Sequence, residues 1–180
     1  TDTPPEFILT ALLPSLGAVI SLKRYIRWGS RCVYPNIWTI LLGSSTRMRK
    51  TTAVGIGSTF NTVLQESGDD KGFILPNDGS LAGLLQEMIT EKYGLLRHSE
   101  FSSFISMMNR GFNIGMKQLL TDFFDVPFRH VIRLKKDQYD IPKPILSISS
   151  ATTLSWFKNS RTTADSTSGF LARFLYCYRE

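Results

Sequence analysis

Apolar residues change their spacing several times along the chain, and each change marks an element. Over residues 7–22 they recur at helical intervals (Phe7, Ile8, Ala11, Leu12, Val19, Ile20, Leu22) after a Thr3-Pro4-Pro5-Glu6 opening. Proline is tolerated in a first turn and disruptive further in, so a buried helix kinked near Pro14 is predicted. Residues 23–34 alternate basic and aromatic side chains and read as an edge hairpin; the alternative is a surface on which rings stack bases and arginines hold phosphates. Residues 37–42 form a short β-prone run, 43–46 are small and polar, and a helix is predicted over 51–65 despite Gly55 and Gly57, which would allow close packing on a sheet.

The same reading continues to the end of the chain. A turn at 67–72, a short strand at 73–76 and a cap at 77–80 lead to a helix with Leu81, Leu84, Leu85 and Met88 on one face. Residues 93–101 are read as an apolar strand leading into a second site stretch, with His98 read as a packed strand residue. Amphipathic helices follow at 104–108 and 116–124, their Met and Phe stripes belonging to the core. Residues 129–135 alternate as a strand, 136–138 turn, and 139–141 return. A buried strand at 144–153 ends in polar residues, a short helix contains Trp156 and Phe157, a polar mobile loop spans 159–168, and a helical turn passes into a last strand within 169–178. Strands alternating with helices predict an α/β fold with a mostly parallel sheet.

Composition narrows this picture without changing it. A chain of 180 residues, 42% hydrophobic and 12% aromatic, suits one domain with a substantial core, divided as 1–34 (helix and connecting hairpin) packed on a core of 35–180. There is no initiating methionine and the chain stops after a strand-like run, so a fragment of a longer protein is expected. Net charge is +6 with pI near 9.5, which suits an anionic partner, nucleic acid being the commonest; a basic surface with no such role is the alternative. Two cysteines and two histidines lack metal-ligand spacing, which argues against a zinc framework and for reduced thiols in the cytoplasm. No apolar run reaches the ~18 residues of a membrane span, and no signal peptide is visible.

The candidate chemistry lies at 37–53. A strand, a tight loop and Lys50-Thr51 at a helix start are the physical recipe for a triphosphate cradle. Loop amides and the positive helix end face phosphates, the lysine neutralises the β/γ oxygens, and the threonine hydroxyl ligates Mg²⁺. Ser44, Ser45, Thr46, Arg47, Met48, Arg49, Lys50, Thr51 and Thr52 are the nucleotide-binding candidates. The pattern departs from G-x-x-x-x-G-K-[ST]: Arg49 stands at the sixth position and Ser44 at the first, with Gly43 one place early. Glycine is usual before the lysine because the backbone turns sharply there. A loop that merely contains basic residues is the alternative.

Gly43-Ser44-Ser45 followed by Arg49-Lys50-Thr51-Thr52-Ala53, the preceding Pro35-Asn36-Ile37-Trp38, Ser99-Glu100-Phe101 and Ser168-Gly169-Phe170-Leu171-Ala172-Arg173-Phe174 together resemble a P-loop ATPase family of phages, prophages and plasmids. That family is catalogued as a domain of unknown function, is often fused to primase-polymerase domains, and frequently carries arginine in place of the last glycine. The resemblance implies a three-layer P-loop fold of the additional-strand, catalytic-glutamate type, with ATP and Mg²⁺ as cofactors. Glu100 would polarise the attacking water, with a helix cap as its alternative role. Ser99 stands where an aspartate would hold the metal shell and adds no charge. Thr152, or Ser150, would offer a polar group to the γ-phosphate. Arg173 would be an arginine finger or γ-phosphate sensor, acting on its own or a neighbouring subunit's site, against the alternative of a structural ion pair. The basic hairpin with Arg133, Lys135 and Lys136 resembles one that enters the channel of hexameric helicases, an ordinary solvated turn being the alternative. The function implied is a DNA-translocating or helicase motor, a homo-oligomeric and by analogy hexameric ring on single-stranded DNA. Its rivals are a degenerate nucleotide-binding module of a defence or assembly protein, and a DNA-binding domain without enzymatic activity.

Overall fold

The computed structural model describes residues 2–21, 24–44, 48–68, 74–75, 80–134, 137–163, 165 and 168–180. Its centre is a five-stranded parallel sheet. In spatial order the strands are β4 (Ile74–Leu75), β5 (Tyr93–His98), β8 (Ile145–Thr152), β3 (Trp38–Gly43) and β9 (Phe174–Arg179). All residues of β3 and β8 are buried, as continuous apolar runs covered on both faces require. Two antiparallel hairpins stand apart from this sheet: β1 (Ile26–Trp28) with β2 (Arg31–Val33), and β6 (Arg129–Leu134) with β7 (Asp137–Pro142).

Side-chain alternation along β3 and β8 divides the core in two. Trp38, Ile40, Leu42, Leu146 and Ile148 join the larger cluster with α3 (Leu81–Glu91), α4 (Phe101–Met108), α5 (Met116–Phe124), α6 (Leu154–Ser160) and the buried Tyr139 and Ile141 of β7. Leu41 and Ala151 pack on the opposite side with Phe7 and Ala11 of α1 (Pro5–Ile20) and Ala53 and Val54 of α2 (Lys50–Glu66). Trp38 anchors the larger cluster. Its ring meets Phe124, Phe170 and Phe174 at 5.0, 5.9 and 5.0 Å, and its Nε1 donates to the Leu146 carbonyl at 2.7 Å. The α/β class, the parallel sheet and the helical Met and Phe stripes follow the sequence pattern.

Several expectations change. The first helix, which contains Pro14, leaves Ile20 on an exposed stripe with Leu9, Leu13 and Leu16 rather than in the core. Gly57 does allow close packing, but against Ala11 of α1 instead of the sheet. Strand β7 begins at Asp137, so the return starts where a turn was expected. The polar 159–168 stretch is partly pinned: Asp165 is buried and accepts from Lys117 Nζ at 2.5 Å and from the Thr162 amide at 2.8 Å. Parts of the expected turn at 67–72, strand at 73–76, cap at 77–80 and loop at 159–168 lie outside the described residues. No helix among the described residues is long and apolar enough to cross a membrane.

Candidate functional site

Strands β3, β8 and β5 run side by side and parallel, so their carboxyl ends share one edge of the sheet, where ligands of open α/β sheets collect. Helix α2 begins at Lys50, seven positions after the end of β3 at Gly43. The residue before it, Arg49, has φ 39° and ψ 42°, the left-handed conformation that side chains avoid. The backbone therefore makes the turn that normally calls for glycine, with arginine in that place. Its guanidinium reaches out to Asp2 at 3.1 Å, both side chains being largely exposed.

Lys50 itself is buried, 7% exposed, and its ammonium points back to the end of β3. It donates to the Gly43 carbonyl at 3.0 Å and the Ser44 carbonyl at 2.7 Å. Burial lowers its pKa below the ordinary lysine value, while the nearby negative charge of Glu100 opposes that shift. An ammonium has three donors, and two are used by main-chain oxygens. Thr51 and Thr52 are exposed in the first turn of α2, Ser44 is exposed at the end of β3, and Met48 is half-buried. Ser45, Thr46 and Arg47 lie outside the described residues.

Opposite the lysine, Glu100 is the N-cap of α4. Its Oε1 accepts from the Ser102 amide at 3.3 Å and the Ser102 hydroxyl at 2.6 Å. The capping role held as the alternative is therefore present, alongside an electrostatic reach to Lys50. Ser99 is exposed in the link between β5 and α4. Between these two flanks, Thr152 closes β8 beside Leu42 of β3; it is fully buried, and its hydroxyl has no hydrogen-bond partner among the described residues. Ser150 is occupied instead, donating to the His98 carbonyl at 2.7 Å. A recess of about 410 Å³ opens beside Gly43 and Ser44, walled by Thr153, Leu154, Ser155, Tyr178 and Arg179. These wall residues were not foreseen from the sequence, although they directly follow or close β8 and β9.

Two sets of expected site residues lie elsewhere. Arg173 immediately precedes β9, whose first residue pairs with Trp38 at the start of β3. It therefore sits at the opposite edge of the sheet from Lys50, roughly five residues of strand or ~16 Å away, and cannot sense a phosphate bound by its own chain's Lys50. There it donates to Asp125 at 2.9 Å and to the Gly169 carbonyl at 3.0 Å, and lies over the Phe124 ring at 5.5 Å. Arg133 is exposed on β6 and donates to Gln138 across the hairpin; Lys135 and Lys136 fall outside the described residues. The chain matches no family model, no curated protein and no solved structure.

Proposed function

We propose that the chain is a P-loop ATPase of the kind its sequence resembles, binding Mg-ATP at the carboxyl edge of β3 and hydrolysing it by in-line attack of water. The observation that carries this reading is the buried Lys50 ammonium. It sits on the first turn of a helix, behind a left-handed residue, and is bonded to two main-chain carbonyls at the end of the preceding strand. A buried cation at a helix N-terminus faces a field already positive, an arrangement that an arriving polyphosphate relieves. The sheet order supports the additional-strand, catalytic-glutamate type, because β8 lies between the lysine strand and the glutamate strand. In the reaction Lys50 would offset the charge growing on the γ-phosphate, Thr51 would hold Mg²⁺, Thr152 would offer its hydroxyl, unpaired among the described residues, and Glu100 would leave Ser102 to align the water. The net charge of +6 and the exposed face of β6, which carries Arg133, support coupling to DNA.

Mg-ATP is expected to raise the melting temperature by several degrees, since ligand at 100 times Kd adds about 2.7 kcal/mol to the native state. Lys50→Ala is expected to abolish that rise. The absence of any rise in the wild type at millimolar Mg-ATP removes the proposal. A second reading, binding with little turnover, is favoured by the Glu100–Ser102 cap. It predicts the same melting shift with no phosphate release, whether or not single-stranded DNA is present. The motor reading predicts a DNA-stimulated rate that Glu100→Gln eliminates without loss of binding.

A further inference from the structure

At the other edge of the sheet, where β3 and β8 begin, a cleft of about 840 Å³ opens between the β1–β2 hairpin and the link from α5 to β6. Its walls include Arg31, Val33, Asp125, Val126, Phe128 and Lys143. Phe128 is 81% exposed; Trp28 does not line the cleft itself but pairs directly with the lining residue Arg31 across the adjoining hairpin, and is 78% exposed. Rings this open contribute little to the core. Lys143 stands over the Phe128 ring at 5.7 Å, so a cation and an open ring lie side by side in the cleft. The acid among these residues, Asp125, is already bonded to Arg173.

The backbone of the cleft carries a second, independent signal. Val126 has φ 44° and Lys143 has φ 50°, two of the four left-handed non-glycine residues described. For a β-branched residue such as Val126 this conformation is a true outlier. Strain of this kind persists where the surroundings enforce it and clusters at binding sites. Here the two strained residues bracket Phe128, and the Lys143 amide donates to the Phe128 carbonyl at 3.2 Å, which holds the ring and the ammonium together at the surface.

We propose that this cleft binds single-stranded nucleic acid, with Trp28 and Phe128 as stacking platforms for bases and Arg31 and Lys143 as phosphate contacts. Open π-faces beside fixed cations suit splayed bases on a polyanion; a duplex, whose bases are stacked inside, offers them nothing. The site is remote from Lys50 and does not depend on nucleotide hydrolysis, so the two proposals stand or fall separately.

The test is fluorescence anisotropy with a labelled oligothymidylate of about twenty nucleotides and a duplex of equal length, without nucleotide, at two salt concentrations. The wild type is expected to prefer the single strand. The double variant Trp28→Ala/Phe128→Ala is expected to bind it at least about tenfold more weakly, since stacking losses of this size accompany removal of one platform. Arg31→Glu and Lys143→Glu are each expected to weaken binding and flatten its salt dependence. All four residues are exposed, and an unchanged melting temperature would confirm that each variant folds. Lys50→Ala is expected to bind the oligonucleotide as the wild type does. The proposal is overturned if the chain binds no oligonucleotide at low salt, or if the aromatic double variant binds normally. It is equally overturned if Arg133→Glu alone abolishes binding, or if the aromatic variant instead changes the sedimentation of the free protein, which would make the cleft a protein contact.

Discussion

Arg49 holds a conformation that costs an L-residue with a side chain roughly 1–2 kcal/mol, and its exposed contact with Asp2 returns little of that. Arg49→Gly is therefore expected to leave the loop intact and raise stability by up to about 1 kcal/mol in urea unfolding, while Arg49→Val lowers it. Asp165 offers a test through pH. Burial pushes its carboxyl up, but the Lys117 ammonium and the Thr162 amide and hydroxyl more than offset this and hold it below its ordinary value of 3.8. A carboxylate with a depressed folded pKa contributes stability that is complete above that ordinary value and is lost as pH falls through the lower, folded one. Asp165→Asn is thus expected to cost about 1.5–3 kcal/mol at neutral pH. The difference from wild type should shrink only in strong acid, as thermal melts across pH would register.

Helices α1 and α2 pack tightly where they cross. A methyl group placed on Gly57 would lie 2.6 Å from the main chain of Ala11, whereas one on Gly55 meets nothing within 4 Å. Gly57→Ala is expected to force the helices apart and cost about 1–3 kcal/mol. Gly55→Ala, in the same helix, is expected to add about 0.4–1 kcal/mol by restricting the unfolded chain. Denaturant midpoints of the two variants should move in opposite directions. The sequence shows two glycines in one helical stretch and no way to rank them, because the difference lies in a neighbour forty-six positions away. By contrast, β3, β8 and the helix at Lys50 were legible, since unbroken apolar runs ending in polar loops leave few other readings. Glu100 was legible both as a candidate base and as a helix cap; periodicity does not choose between the two, and the onset of α4 at Phe101 shows the cap to be its resting contact. Arg173 entered as a candidate through the resemblance, with a structural ion pair as the alternative, and the contact with Asp125 is that ion pair. The distance of Arg173 from Lys50 follows from strand direction and pairing, which periodicity alone does not supply.

For the molecule as a whole, the separation of Lys50 from Arg173 sets what a catalytic arginine could do. On the ATPase reading, Arg173 can complete only a neighbour's site, and must leave Asp125 to do so. Two inactive proteins, Lys50→Ala and Arg173→Ala, are then expected to regain part of the hydrolysis when mixed and allowed to exchange subunits. A mixed interface pairs an intact Lys50 on one side with an intact Arg173 on the other. Mixtures that stay inactive, although each variant is folded and associates, would show that Arg173 serves its own chain through Asp125 and nothing more.

The pairing of β3 also has a consequence for how the chain is made. Its two neighbours are β8, which opens at Ile145, and β9, which opens at Phe174, while β3 itself closes at Gly43. During synthesis, at roughly 5–20 residues per second, β3 emerges and waits for partners that have not yet been translated. Until then its unsatisfied amides are exposed to any other strand, including that of a second nascent chain. Folding is therefore governed by long loop closures and should be slow, with the interval before β9 arrives as the period of greatest risk of aggregation.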